Sequence, residues 1–194
     1  GEDHLSPGGR GCSEPSSCPQ LMHSRRSCRK FTQEKIDPEA LSLVLNAALL
    51  SPSAKSRRSW HFVVVEDKNT LEKLADCKES GATLLKNAAV AVVVTANVAE
   101  NDCWIEDCSI ATLAMQLQAE DLGLGSCWVQ VRNRGLNSGE RAVDIVRGIL
   151  NIPEGFDTLC ILALGHKASE LPLKNDDDAP WEQVHVGTDR KSVV

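Results

Sequence analysis

The sequence predicts helices and strands alternating around one central sheet. Three observations carry that expectation. Apolar residues recur at helical spacing in four separate stretches; four apolar runs suited to strands alternate with them; and Ala88 to Ala96 is an unbroken run of small apolar and β-branched residues, the pattern of a central strand covered on both faces.

Residues 1–22 are rich in Gly, Pro and Ser and lack apolar periodicity, so they read as a disordered arm, and the folded domain is expected over 23–194. Asp37-Pro38 is an N-cap followed by proline at the first helical position. Leu41, Val44, Leu45, Ala48 and Leu49 then keep helical spacing, which predicts a helix to about Ser51. Trp60 to Glu66 reads as a strand. Asn69 to about Lys78 reads as a short amphipathic helix with Leu71, Leu74 and Ala75 on one face. After the central strand, Trp104 to Leu122 is the longest helix, and Gly123 is placed to stop it. Ser126 to Val131 is a strand, Ser138 is a candidate cap for a helix through Leu150, and Thr158 to Leu164 is a strand ending at Gly165. The polar tail closes on Trp181-Glu182-Gln183-Val184-His185-Val186, a candidate extra strand.

Bulk properties narrow the function. The chain has 194 residues, 42% of them hydrophobic and 25% charged, which suits one domain with a real core. A formal net charge of −6 disfavours nucleic acid as a partner and makes any basic cluster a local feature. No apolar run approaches membrane-spanning length and no secretory apolar region follows the N-terminus, so no membrane partner is expected. The eight Cys show no Cys-x-x-Cys pair, and Cys77, Cys103, Cys108, Cys127 and Cys160 sit in apolar-patterned segments. That favours reduced thiols in a cytoplasmic setting. No metal-ligand spacing, P-loop or nucleophile elbow is present. Gly123-Leu124-Gly125 follows a helix instead of opening one, so it is no dinucleotide fingerprint.

Two segments carry the chemistry. Arg25-Arg26-Ser27-Cys28-Arg29-Lys30-Phe31 is a ready anion site, because guanidinium forks match phosphate oxygens in pairs. One helix later, Ser51-Pro52-Ser53-Ala54-Lys55-Ser56-Arg57-Arg58-Ser59-Trp60-His61-Phe62 is a polar loop leading into a strand with an aromatic at its mouth. Together they suggest a cofactor that is phosphate at one end and a flat ring at the other. Read singly, each arginine is an ordinary solvated side chain, and Ser51-Pro52-Ser53 an ordinary helix-ending turn.

From Arg25 to His185 the chain resembles the FMN-dependent nitroreductase family. The resemblance rests on Arg25, Ser27, Arg29 and Phe31; on Ser51, Pro52, Ser53, Trp60, His61 and Phe62; on Leu122-Gly123-Leu124-Gly125-Ser126-Cys127-Trp128; and on Gly165-His166 after the last core strand. It departs from the family pattern at Ser56, Arg58 and Ser59, where Asn, Gln and Pro are usual. After the last strand Lys174-Asn175-Asp176-Asp177-Asp178 leaves Lys174 as the one candidate phosphate ligand.

The resemblance implies an α+β fold, a central mixed sheet flanked by helices, in an intertwined homodimer with the long helix in its core and 181–186 extended over the partner. It implies FMN as cofactor and NADH or NADPH as donor, with nitroaromatics, quinones or similar small molecules reduced by ping-pong hydride transfer. Arg25, Arg26 and Ser27, with Lys174, would hold the phosphate, and Arg29 would sit near the flavin pyrimidine edge, where a fixed cation raises the reduction potential. Pro52, Ser53 and Ser56 would reach the ring from the other subunit. Trp128, Val129, Gln130 and Val131 would pass it with their backbone, and Gly165 and His166 belong to the same set. No side chain need act as acid, base or nucleophile, since the flavin carries the chemistry. The same scaffold admits dehalogenation, flavin breakdown or flavin binding without turnover.

Overall fold

A strand whose side chains are mostly apolar and buried on both faces must be shielded above and below, and the chain builds two helical layers to do it. In the computed structural model, which describes residues 14–192, the shielded strand is β2 (Val90–Asn97), buried along all but its last residue. It lies inside a four-stranded sheet with β1 (Trp60–Val65), β3 (Leu124–Gln130) and β4 (Phe156–His166), in the order β1-β2-β4-β3. All three ladders are antiparallel. Among the described residues, the parallel component expected of a mixed sheet is confined to one bridge, Ser27 to Ser126. Alternating helices and strands usually give parallel crossovers. Here the intervening helices return the chain so that neighbouring strands run opposite ways.

Side chains alternate across each strand and separate the core in two. Ala91, Val93, Val129 and Ile161 face α3 (Lys68–Ala75) and α5 (Ala142–Leu150), meeting Leu71, Leu74 and Val146. Val90, Val92, Val94, Leu162 and Leu164 face α2 (Pro38–Leu49) and α4 (Trp104–Asp121), meeting Val44, Ala48, Ala111 and Met115. Asp37 caps α2 as its sequence predicts, its side chain accepting from Glu39 N at 3.0 Å. Gly123, at φ +74°, ends α4 in the left-handed conformation a glycine tolerates. On α4 the inward stripe is Cys108, Ala111, Met115 and Ala119, while Ile110 and Leu113 point outward.

Three local expectations change. Ser138 does not cap α5: its Oγ donates to Glu140 Oε2 at 3.1 Å, because Leu136 N to Glu140 O (2.9 Å) and Ala142 N to Arg134 O (2.9 Å) hold residues 134–142 as a turn that delays the helix. The expected arm, whose residues 1–13 with Cys12 lie outside the described residues, is helical at its end. There α1 (Cys18–Ser24) starts from a capping box between Ser17 and Gln20, with Ser16 N donating to Asp121 Oδ1 at 2.7 Å. The tail segment divides: Trp181–Gln183 is a single 3₁₀ turn, and among the described residues β5 (His185–Val186) pairs only with β6 (Asp189–Ser192). Among the described residues no helix is long and apolar enough to cross a membrane.

Candidate functional site

The first motif is laid across the sheet end as an extended segment. Ser27 bridges Ser126, Cys28 N donates to Ser126 O at 2.9 Å, Thr32 N donates to His166 O at 2.9 Å, and Ala168 N donates to Lys30 O at 3.0 Å. This close approach explains two glycines. A Cβ on Gly125 would stand 2.7 Å from Cys28 Sγ, and one on Gly165 would stand 2.7 Å from Phe31 Cδ1. Gly165 is thus buried beneath the segment. His166 turns to its outer side, with Nε2 3.3 Å from Lys35 O and Nδ1 3.8 Å from Glu34 Oε2.

The same segment gathers a cation from far along the chain. Lys174 N donates to His23 O at 3.0 Å, His23 Nδ1 lies 2.9 Å from Lys174 O, and Arg26 Nη1 donates to Pro172 O at 3.2 Å. These bonds pull residues 172–174 alongside 23–26. Burial, and then the positive charges of Arg25 and Arg26, hold the Lys174 ammonium below the usual lysine pKa. Asp176, the nearby acid, is engaged by His23 Nε2 at 3.1 Å. None of Arg25, Arg26 and Lys174 takes part in an ion pair among the described residues. Three crowded, uncompensated cations fit a phosphate dianion, whose arrival would remove their mutual repulsion.

Next along the segment, Arg29 borders a cleft of about 540 Å³ with Trp128 and Cys127 on β3 and Gly81, Thr83, Leu84, Lys86 and Asn87 from the turn before β2. That volume lies in the range of small-molecule sites. The Trp128 indole is fixed: its Nε1–H donates to Gln130 Oε1 at 2.8 Å, and Gln130 Nε2 donates to Arg132 O at 2.9 Å. Burial raises the Cys127 thiol pKa, so it faces the cleft uncharged. Val129 and Val131 point their side chains into the core, at 1% and 0% exposure, so only their backbone is available to a ligand.

The second motif stands apart. Residues 51–59 form a loop beyond α2 in which Lys55, Ser56 and Arg58 all have positive φ, near +50°. Non-glycine residues persist there only when neighbours enforce it. The enforcement comes from Asp107 of α4, 3% exposed, whose two carboxylate oxygens accept from Ala54 N at 3.0 and 3.1 Å. Asn101, also buried, donates to Asp107 Oδ2 at 2.6 Å and to Ser59 Oγ at 3.2 Å. Ser53 Oγ accepts from Arg58 N at 3.1 Å, and Arg57 donates to the Glu100 carbonyl. Pro52 and Ser56 are exposed. No hydrogen bond among the described residues joins this loop to 25–29.

The structure therefore brings Arg25, Arg26, Ser27, Arg29, Trp128 and Lys174 to one region and leaves Pro52, Ser53 and Ser56 on another face of the same chain. Sequence reading missed Asp107 and Asn101, since an acid beside Glu106 on a helix reads as solvated, and missed the 83–87 turn, which has no motif. No cluster of metal-ligating residues occurs among the described residues.

Comparison with known proteins identifies the family and the fold. The profile of the Nitroreductase family matches residues 22–97 and 77–166. The chain is similar to a putative NADH dehydrogenase/NAD(P)H nitroreductase of Archaeoglobus fulgidus, 34% identical over 83% of this chain and 91% of that protein. A relative of the same description from Methanothermobacter thermautotrophicus is 34% identical over 86% and 85%. Among solved structures, an FMN-dependent nitroreductase from Clostridium difficile superposes with a TM-score of 0.84 at 42% identity, covering 86% of this chain and 96% of that one.

Proposed function

The chain belongs to the nitroreductase family, and from that membership we propose that it is an FMN-dependent oxidoreductase that takes hydride from NADH or NADPH and reduces nitroaromatics, quinones or similar acceptors. The observation that carries this reading is the convergence of Arg25, Arg26 and Lys174 beside the cleft bordered by Arg29 and Trp128. Bound flavin supplies the two-electron chemistry, and the residues hold and bias it. The two guanidiniums, the ammonium and the Ser27 hydroxyl grip the phosphate. Arg29 sets positive charge at the cleft edge, where negative charge builds on reduction. The Trp128 indole, bonded to Gln130, packs on the α2/α4 side of the sheet, so Trp128 offers the cleft its main chain. Donor and acceptor then use one opening in turn, which gives ping-pong kinetics.

A homodimer completes the site in this reading. Leu43, Leu49 and Leu50 on and after α2, with Ile110 and Leu113 on α4, are 42% to 76% exposed, and these two helices pack together. Apolar side chains exposed on two helices that pack together suit a second copy. That copy would deliver Pro52, Ser53 and Ser56 to the cleft, held in shape by Asp107, and the exposed Trp181 and Val186 would reach across the seam. The seven described cysteines are free, which fits a reducing cytoplasm.

Colour tests the reading. Protein loaded with FMN should be yellow, bleach with NADH or NADPH under nitrogen, and recover with a nitroaromatic or quinone. Protein that cannot be loaded with FMN defeats it; loaded protein that neither nucleotide bleaches leaves flavin binding without this activity.

A further inference from the structure

Beyond the far end of β3 lies a second cationic site. A cavity of about 310 Å³ is lined there by Arg132, Asn133 and Arg134 from the turn after β3, Arg141 before α5, Trp104 at the start of α4, and Asp157. Local geometry builds it. Val131 N and Arg132 N both donate to Leu159 O, at 3.2 and 3.0 Å, Arg134 N donates to Val131 O at 3.1 Å, and Asn133 takes φ +58°. A bridge from Gly135 to Arg141 then folds the third arginine back against the first two. Gly135 is required for this, because a Cβ there would stand 2.2 Å from Glu140 O.

Charge is unbalanced in the cavity. Asp157 lies 3.5 Å from Arg147 Nη2, and Asp144 is shared by Arg147 at 2.8 Å and Arg141 at 3.1 Å. Arg132 and Arg134 take part in no ion pair among the described residues. In a chain of formal net charge −6, such a pocket selects a compact dianion. The Trp104 indole is buried in the α2/α4 core, so the exposed guanidinium planes are what an adjoining purine would stack on.

The site is distinct from the first cation cluster. Ser27 meets β3 at Ser126, and Arg132 lies in the turn beyond the strand's end at Gln130, so the strand between them, four residues at ~3.3 Å each, spans roughly 13 Å. The Trp128 cleft falls between them. Two ligands whose reactive rings must meet over that cleft, each with a phosphate tail, have to send those tails in different directions. We propose that the Arg132–Arg134–Arg141 cavity receives the 2′-phosphoadenosine end of the electron donor, which makes this protein selective for NADPH over NADH. The proposal rests on the oxidoreductase reading for its donor.

Calorimetric titration of the full chain with 2′,5′-ADP and with 5′-AMP tests it, with inorganic phosphate as the probe for plain anion binding. 2′,5′-ADP should bind about tenfold or more tighter than 5′-AMP, and the combined change Arg132→Ala and Arg134→Ala should erase that margin while FMN content stays the same. The KM for NADPH should rise by a similar factor in that variant, against a smaller change for NADH. Arg132→Gln serves if the double variant does not fold. Equal binding of 2′,5′-ADP and 5′-AMP by the unsubstituted protein overturns the proposal, as does inorganic phosphate binding as tightly as 2′,5′-ADP. FMN-loaded protein that oxidises both nucleotides with equal KM overturns it and leaves the oxidoreductase reading standing. Protein that never takes up FMN defeats that reading, and the titrations still decide the cavity.

Discussion

Arg25, Arg26 and Lys174 repel one another where they stand, and that repulsion is the basis of two predictions. Removing a charge that grips a phosphate costs a charge-assisted bond, so Arg25→Ala should weaken FMN binding by about ten- to a hundredfold, whereas Arg57→Ala, whose side chain donates to the Glu100 carbonyl, should change it little. Equal, negligible losses on flavin titration would make the first cluster plain surface. The second prediction concerns pH. The Lys174 pKa is lower folded than unfolded, so the unfolded chain binds more protons through that window and the FMN-free protein gains stability as pH rises across it. Phosphate affinity moves the opposite way. The FMN dissociation constant should climb as pH passes the depressed Lys174 pKa, before the ordinary lysine value near ~10.4, and Lys174→Arg should flatten that climb. Fluorescence titration across the alkaline range measures it; a profile unaffected by the substitution would take Lys174 out of the site.

At the scale of elements, each motif depends on a distant partner that fixes it. The 25–31 segment sits on the sheet because Gly125 and Gly165 leave room for Cys28 and Phe31. The 51–59 loop keeps three residues at positive φ because α4 offers a buried carboxylate to its backbone. Asp107→Ala strands the Ala54 N–H and the Asn101 amide, and should cost about 2–4 kcal/mol of stability in urea unfolding. Asp107→Asn, which keeps one acceptor oxygen, should cost less. A change within experimental error for Asp107→Ala would mean that the loop holds its shape without α4. Cys108 on the inner face of this helix and Cys160 on β4, whose thiols burial pushes up to about 12, stay neutral and serve as core packing.

For the whole molecule, the outward leucines of α2 and α4 are exposed apolar side chains on two helices that pack together. Leu113→Glu, at the outer face of α4, should raise the dimer dissociation constant by about thirtyfold or more, read by sedimentation equilibrium, and should release FMN in parallel. A dimer indifferent to this change would have its seam elsewhere.

The sequence by itself determined the local elements and the two chemical segments. Asp37-Pro38, the apolar run in β2, Gly123 after α4 and the Arg-rich stretch at 25–29 act through neighbours a few residues away, so pattern is enough to read them. Only the tertiary structure decided what those pieces meet. That neighbouring strands run antiparallel, that Lys174 returns to Arg25, that Asp107 is a buried clamp instead of a solvated acid, and that Arg132, Arg134 and Arg141 share a cavity all depend on chain reversals and on burial. The physical reason is range: capping and periodicity are settled within one or two turns of chain, whereas charge crowding and the desolvation of a carboxylate arise only once segments far apart in sequence are packed together.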